Sequence, residues 1–88
     1  MTAEAFSEML RREGFSDIVI VEREPNGVLD AHAHPFVAKA LILDGKIRLV
    51  VDRMERIYRP GDIFHLKHGE THVERYGPSG VRYLVGKK

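Results

Sequence analysis

The sequence predicts an all-β sandwich or barrel preceded by one short helix, and three observations carry that reading. From Phe15 onward the apolar residues come in short β-branched or alternating runs rather than at helical spacing. Turn residues break these runs about every 6–12 positions, the rhythm of an all-β domain. The 88 residues are 43% hydrophobic and 31% charged, with no low-complexity tract or composition shift, enough for one core and no second domain.

Residues 1–14 form the helical segment and residues 15–88 the β domain. Thr2 is placed as N-cap, Glu4 lies in the first turn and Gly14 supplies the stop. Phe6, Met9 and Leu10 fall at i, i+3 and i+4, giving one narrow apolar stripe. So short a helix is unstable alone and must dock, either over a sheet edge or against a second copy of the chain.

About eight short strands follow. Ile18–Val21 is β-branched throughout and ends at the Pro25-Asn26-Gly27 turn. Residues 28–34 form the next strand, which Pro35 ends because it lacks a backbone donor. Residues 38–43 lead to Asp44-Gly45, a strong hairpin signal, and residues 46–52 return. The turn at Asp52-Arg53-Met54 has no glycine, so its loop is longer or one residue accepts strain. Residues 55–59 form a polar strand near an edge, and Pro60-Gly61 suits a type II turn. Residues 63–66, 71–76 and 81–85 complete the set, with Gly77-Pro78-Ser79-Gly80 read as the last turn. Ile42, Ile47, Leu49, Val51, Phe64, Val73 and Val81 are the expected core.

Composition narrows the function. With no cysteine there is no disulfide framework and no thiolate metal site, so any metal must be held by His, Asp or Glu. A net charge of +1 with interspersed signs gives no broad field for nucleic acid, and Arg11-Arg12, Arg53/Arg56/Arg59 and Lys87-Lys88 read as solvated surface. No apolar run approaches the roughly 18 residues of a membrane span, and Met1–Glu8 lacks the pattern of a secretory signal. A soluble, cytoplasmic protein is expected.

The stretch with chemical content is Asp30-Ala31-His32-Ala33-His34-Pro35. On a strand, residues two apart share a face about 6.6 Å apart, which suits two imidazoles reaching one ion from about 2.0–2.1 Å each. A third ligand must come from the second half, and His72 is the choice because it opens an alternating strand directly after a glycine-containing turn. His65 is a weaker candidate, and His68 sits in a turn facing solvent. Glu74 and Tyr76 share the face of His72; they read first as an ordinary polar strand face, and second as groups that orient ligands or move a proton. Tyr83 reads as core or interface packing, with the pocket as the alternative.

Residues 27–45, with their His-x-His-Pro core, resemble the first signature motif of the cupin superfamily. Gly61-Asp62-x4-Lys67-x-Gly69-x2-His72 resembles the second. With the flanking strands the resemblance spans roughly residues 15–85. It implies a double-stranded β-helix (jelly-roll) barrel, usually dimeric, with a metal in its mouth. His32 and His34 match the two histidines of the first motif, and His72 matches that of the second. The glutamate ligand of the family falls on Ala38, seven residues before Gly45. Lys67 stands at the family's proline and Tyr76 at its asparagine.

A centre of three neutral imidazoles would favour zinc, iron or nickel over harder ions and would keep a position open. The resulting expectation is a homodimeric cupin that binds a divalent transition metal through His32, His34 and His72 and acts on a small molecule, in the manner of a dioxygenase or isomerase. The alternative is a non-catalytic module that binds or senses a small molecule, with or without metal, resembling the ligand-binding halves of sugar-responsive transcription regulators. Neither reading involves direct contact with nucleic acid or membrane.

Overall fold

The computed structural model describes residues 1–88. It contains one helix, α1 (Ala3–Arg12), and six strands: β1 (Ser16–Arg23), β2 (Val28–His32), β3 (Ala38–Val51), β4 (Met54–Tyr58), β5 (Ile63–Leu66) and β6 (His72–Lys87). The helix is not long and apolar enough to cross a membrane.

Strand number is where sequence and structure part. Asp44-Gly45 and Gly77–Gly80 do not reverse the chain; each is a bend inside one long strand. The reason lies in how β3 and β6 pair along their whole lengths, from Ala38↔Lys87 to Val51↔His72, with register shifts on either side of Gly45. Gly45 (φ +71) and Gly80 (φ +74) meet at this point, and a β-carbon on Gly45 would collide with the Gly80 carbonyl oxygen. Positive φ and the missing side chain, which mark a hairpin turn, equally mark a bulge.

The paired bend folds one antiparallel sheet into two layers. The first halves of β3 and last halves of β6 join β5 and β1; the other halves join β4 and β2. This is a jelly-roll arrangement with an open edge rather than a closed barrel. The 51–54 connection is a two-residue hairpin, with Asp52 (φ 49) and Arg53 (φ 65) both left-handed, so strain rather than extra length accommodates it.

Between the layers lie Ala38, Ala40, Ile42, Ile47, Leu49, Phe64, Leu66, Val81 and Val85, joined by Tyr76 and Tyr83. Val51 packs at the margin. Val73, expected in this core, lies on the opposite face of β6 and is half-buried. A second cluster forms on the outer side, where Phe6 and Leu10 are fully buried against Phe15, Leu41 and Leu84. The helix therefore covers its own sheet, and each of those two side chains contributes about 1.5–3 kcal/mol of burial. Its ends are built as the sequence indicates. The Ala5 amide donates to Thr2 Oγ1 at 3.1 Å, and the Gly14 and Phe15 amides return to Arg11 and Leu10 carbonyls at 3.1 and 2.9 Å.

Candidate metal centre

The inward face of the first half of β6 is polar. His72 is 2% exposed, Glu74 6% and Tyr76 8%. Such groups are buried only when something satisfies them: His72 and Tyr76 both reach Glu74 on their own strand, and β2 adds His32. His32 is the register partner of His72, and their rings lie 4.2 Å apart. β2 ends at His32, so His34 stands just beyond the strand rather than on it. That departure brings its ring to 4.8 Å from His32 and 5.4 Å from His72, closer than strand pleating would place it. Gly69 donates its amide to the His34 carbonyl at 2.8 Å, and the His34 ring stacks on Phe36.

The fourth member is Glu74. Its Oε2 lies 3.1 Å from His32 Nε2 and 3.1 Å from His72 Nε2, while Tyr76 donates its hydroxyl to Oε1 at 3.1 Å. The sequence places Glu74 first on an ordinary polar strand face; the structure instead buries it beside the three histidines. The signal was present, because Glu74 is two residues beyond His72 and strand alternation puts both on one face. Its polarity pointed to solvent, whereas burial follows from what faces it. Ala38, where the family's glutamate is expected, lines a cavity of about 110 Å³ shared with His34, Phe36, Glu74 and Tyr83. The carboxylate thus comes from the other long strand, and the space beside Ala38 stays open.

The imidazole tautomers follow from their second nitrogens. His32 Nδ1 lies 2.7 Å from the Asp30 carbonyl and His72 Nδ1 lies 3.1 Å from that of Glu70. A carbonyl only accepts, so each Nδ1 carries a proton and each neutral ring presents an Nε2 lone pair to Glu74. Two lone pairs and a carboxylate oxygen then converge within 3.1 Å. They repel unless a cation, a proton or a metal ion, lies among them. His32 Nε2 is buried yet out of line with Glu74 for a hydrogen bond, so it has no hydrogen-bond partner.

All four ligand atoms fall within 4.8 Å of one another. Side-chain adjustment from these separations would let the four hold one ion. The donor set fits a divalent metal. His65 and His68 are exposed on β5 and in the following turn, outside this cluster.

Burial, then the neighbouring His32 and His72, holds His34 below its usual 6.5, which keeps it neutral. Tyr76 is pushed up to about 12 by burial and by Glu74, against the pull of Arg23. Tyr83 is likewise raised by burial and Glu74. Both phenols keep their protons at neutral pH, and Tyr76 donates its proton to Glu74.

Solved structures bear out the jelly-roll fold. A protein of unknown function from Rhizobium leguminosarum bv. viciae 3841 matches 80% of this chain and 66% of its own, with TM-score 0.75 and 20% identity. The Cnp3 cupin domain of Schizosaccharomyces pombe matches 80% and 53%, with TM-score 0.72 and 18% identity. A variant of oxalate decarboxylase from Bacillus subtilis matches 81% and 20%, with TM-score 0.72 and 20% identity. This chain therefore spans less than two thirds of these structures' lengths. No protein-family model matches the sequence, and no curated protein matches it significantly. The chain has the fold of the cupin superfamily.

Proposed function

We propose that this cupin binds one divalent transition-metal ion through His32, His34, His72 and Glu74 and presents it to a small ligand in the adjoining cavity. The observation that carries the proposal is the convergence of two Nε2 lone pairs and a carboxylate on one point, with both Nδ1 atoms committed to backbone carbonyls. An anionic oxygen beside three imidazoles suits iron, cobalt, nickel or zinc, and it admits manganese more readily than imidazoles alone. A bound ion of this kind supplies Lewis acidity toward a ligand oxygen or water.

The chain's own residues favour binding over acid–base catalysis. Tyr76 holds Glu74 by its hydroxyl, and its raised pKa makes it a poor base. Phe36, Ala38, Phe64, Leu66 and Val85 give the cavity apolar walls, with Arg23 and Lys87 also lining it. At about 110 Å³ the space accepts only a few non-hydrogen atoms beyond the ion. A homodimer joined along β1, where Val19 and Ile20 stand exposed, is part of the same proposal and is read by light scattering.

Elemental analysis of protein purified without affinity nickel or chelator should find close to one transition metal per chain. His72→Ala should lose it while keeping the β circular-dichroism spectrum. Metal-free protein whose melting temperature does not respond to added zinc, iron or manganese would overturn the proposal.

A further inference from the structure

On the outer face of the β2–β6–β3–β4 layer, away from the metal centre, four register partners form a row across the strands: Val28, Arg75, Arg48 and Ile57. Arg75 and Arg48 stand directly opposite each other, and like charges in that position destabilise a sheet. Lys46, two residues before Arg48, is on the same face. Its side chain lies over Gly77, where a β-carbon would come within 2.5 Å of Lys46 Cγ. These three cations line an open cleft of about 310 Å³ in which no carboxylate takes part. Glu55 pairs with Arg48 at 2.9 Å, and no ion pair reaches Lys46 or Arg75. Two positive charges are therefore uncompensated. Arg59 lines an adjoining cleft that shares Lys46 and Pro78.

We infer that this cleft binds a phosphate group, free or carried on a small molecule. A phosphate brings about −1.5 to −2 charges, which matches the two uncompensated cations, and three strong acceptor oxygens. Arginine forks bind such oxygens in bidentate fashion, and lysine adds a point charge. Bound phosphate converts the Arg48–Arg75 repulsion into a shared attraction. Val28 and Ile57 give the cleft apolar margins. The one aromatic residue lining it, Tyr76, is buried and bonded to Glu74, so the face has no platform on which bases of a single strand could stack.

The test is residue-resolved NMR titration of the full-length protein in low-salt, phosphate-free buffer with inorganic phosphate, glucose 6-phosphate and a single-stranded oligonucleotide. Both small probes should shift the amides of Lys46, Arg48 and Arg75 and saturate by about 10 mM. Tenfold tighter binding of glucose 6-phosphate would identify a phosphorylated molecule as ligand, and equal binding would identify free phosphate. Arg75→Gln and Lys46→Gln, both at exposed positions, should each weaken binding about tenfold or more, whereas Arg82→Gln, paired with Glu22 elsewhere, should not. Without phosphate, Arg75→Gln should melt at or above the wild type, and phosphate should reverse that order. Absence of shifts from both small probes, shifts confined to His32 and His72, equal loss in Arg82→Gln, or response to the oligonucleotide alone would each overturn the inference.

Discussion

Glu74→Gln separates a metal centre from a cluster held by protons. The change keeps volume and the bond from Tyr76, but it removes the charge that sits 3.1 Å from two imidazole nitrogens. In the metal-free protein the new amide can donate to the Nε2 lone pairs, so stability should hold or rise. With metal the effect is opposite. Loss of a group that merely orients a ligand costs 10–100-fold in affinity, and loss of the ligand itself should reach about 100-fold. At metal 100 times its Kd the wild type gains about 2.7 kcal/mol. For a domain of this size that is about 11–22 °C in melting temperature. The variant at the same metal concentration sits near its own Kd, gains about 0.4 kcal/mol and moves by only about 2–3 °C. Differential scanning fluorimetry with and without zinc measures both numbers. A full zinc shift in the variant would show that Glu74 is no ligand. A metal-free variant melting well below the metal-free wild type would show that Glu74 serves as partner to protonated histidines, and the metal reasoning would fail with it.

Tyr76→Phe leaves a buried carboxylate oxygen without its donor and should cost about 1–3 kcal/mol in urea unfolding; chelator competition should show metal affinity down about 10–100-fold. His34 gives a pH signature in the metal-free protein. Its folded pKa is lowered from 6.5, so it stays neutral while the unfolded chain takes up a proton, and the stability this neutral form holds above pH 6.5 is lost progressively as pH falls below it. His34→Gln should flatten that slope in melts across this range, and an unchanged slope would refute the assignment. Gly45→Ala puts a side chain at φ +71 against the Gly80 carbonyl and should cost at least about 2 kcal/mol, a fall of about 8–16 °C. A fall under a few degrees would mean that the bend does not depend on that contact.

Much of the site was legible in the chain. His-x-His before a proline, and a third histidine after a glycine turn, are local patterns whose ligands the structure brings together. Glu74 was legible only in part: alternation puts it on the face of His72, but its burial does not show in a His-Val-Glu-Arg-Tyr strand with polar residues on both sides. The residues that bury His72 and Glu74 lie on β2, far away in sequence. The helix, its caps and the 60–61 turn depend on neighbours a few residues apart and were read correctly. The two long strands were split because a glycine at positive φ is the same signal in a turn and in a bulge. Only the pairing of β3 with β6, a long-range fact, tells them apart.

That pairing has a consequence for how the protein can lose its ligand. Neither layer is a separable unit, since both are halves of the same two ribbons. Contacts that join distant parts of the chain form late and dissolve together. Two of the four candidate donors lie on β6 and a third on its neighbour β2, so partial opening at the rim leaves most of the set in place. An ion held there would exchange through the cavity mouth or by unfolding of the whole domain, and only the second route ties its residence time to global stability.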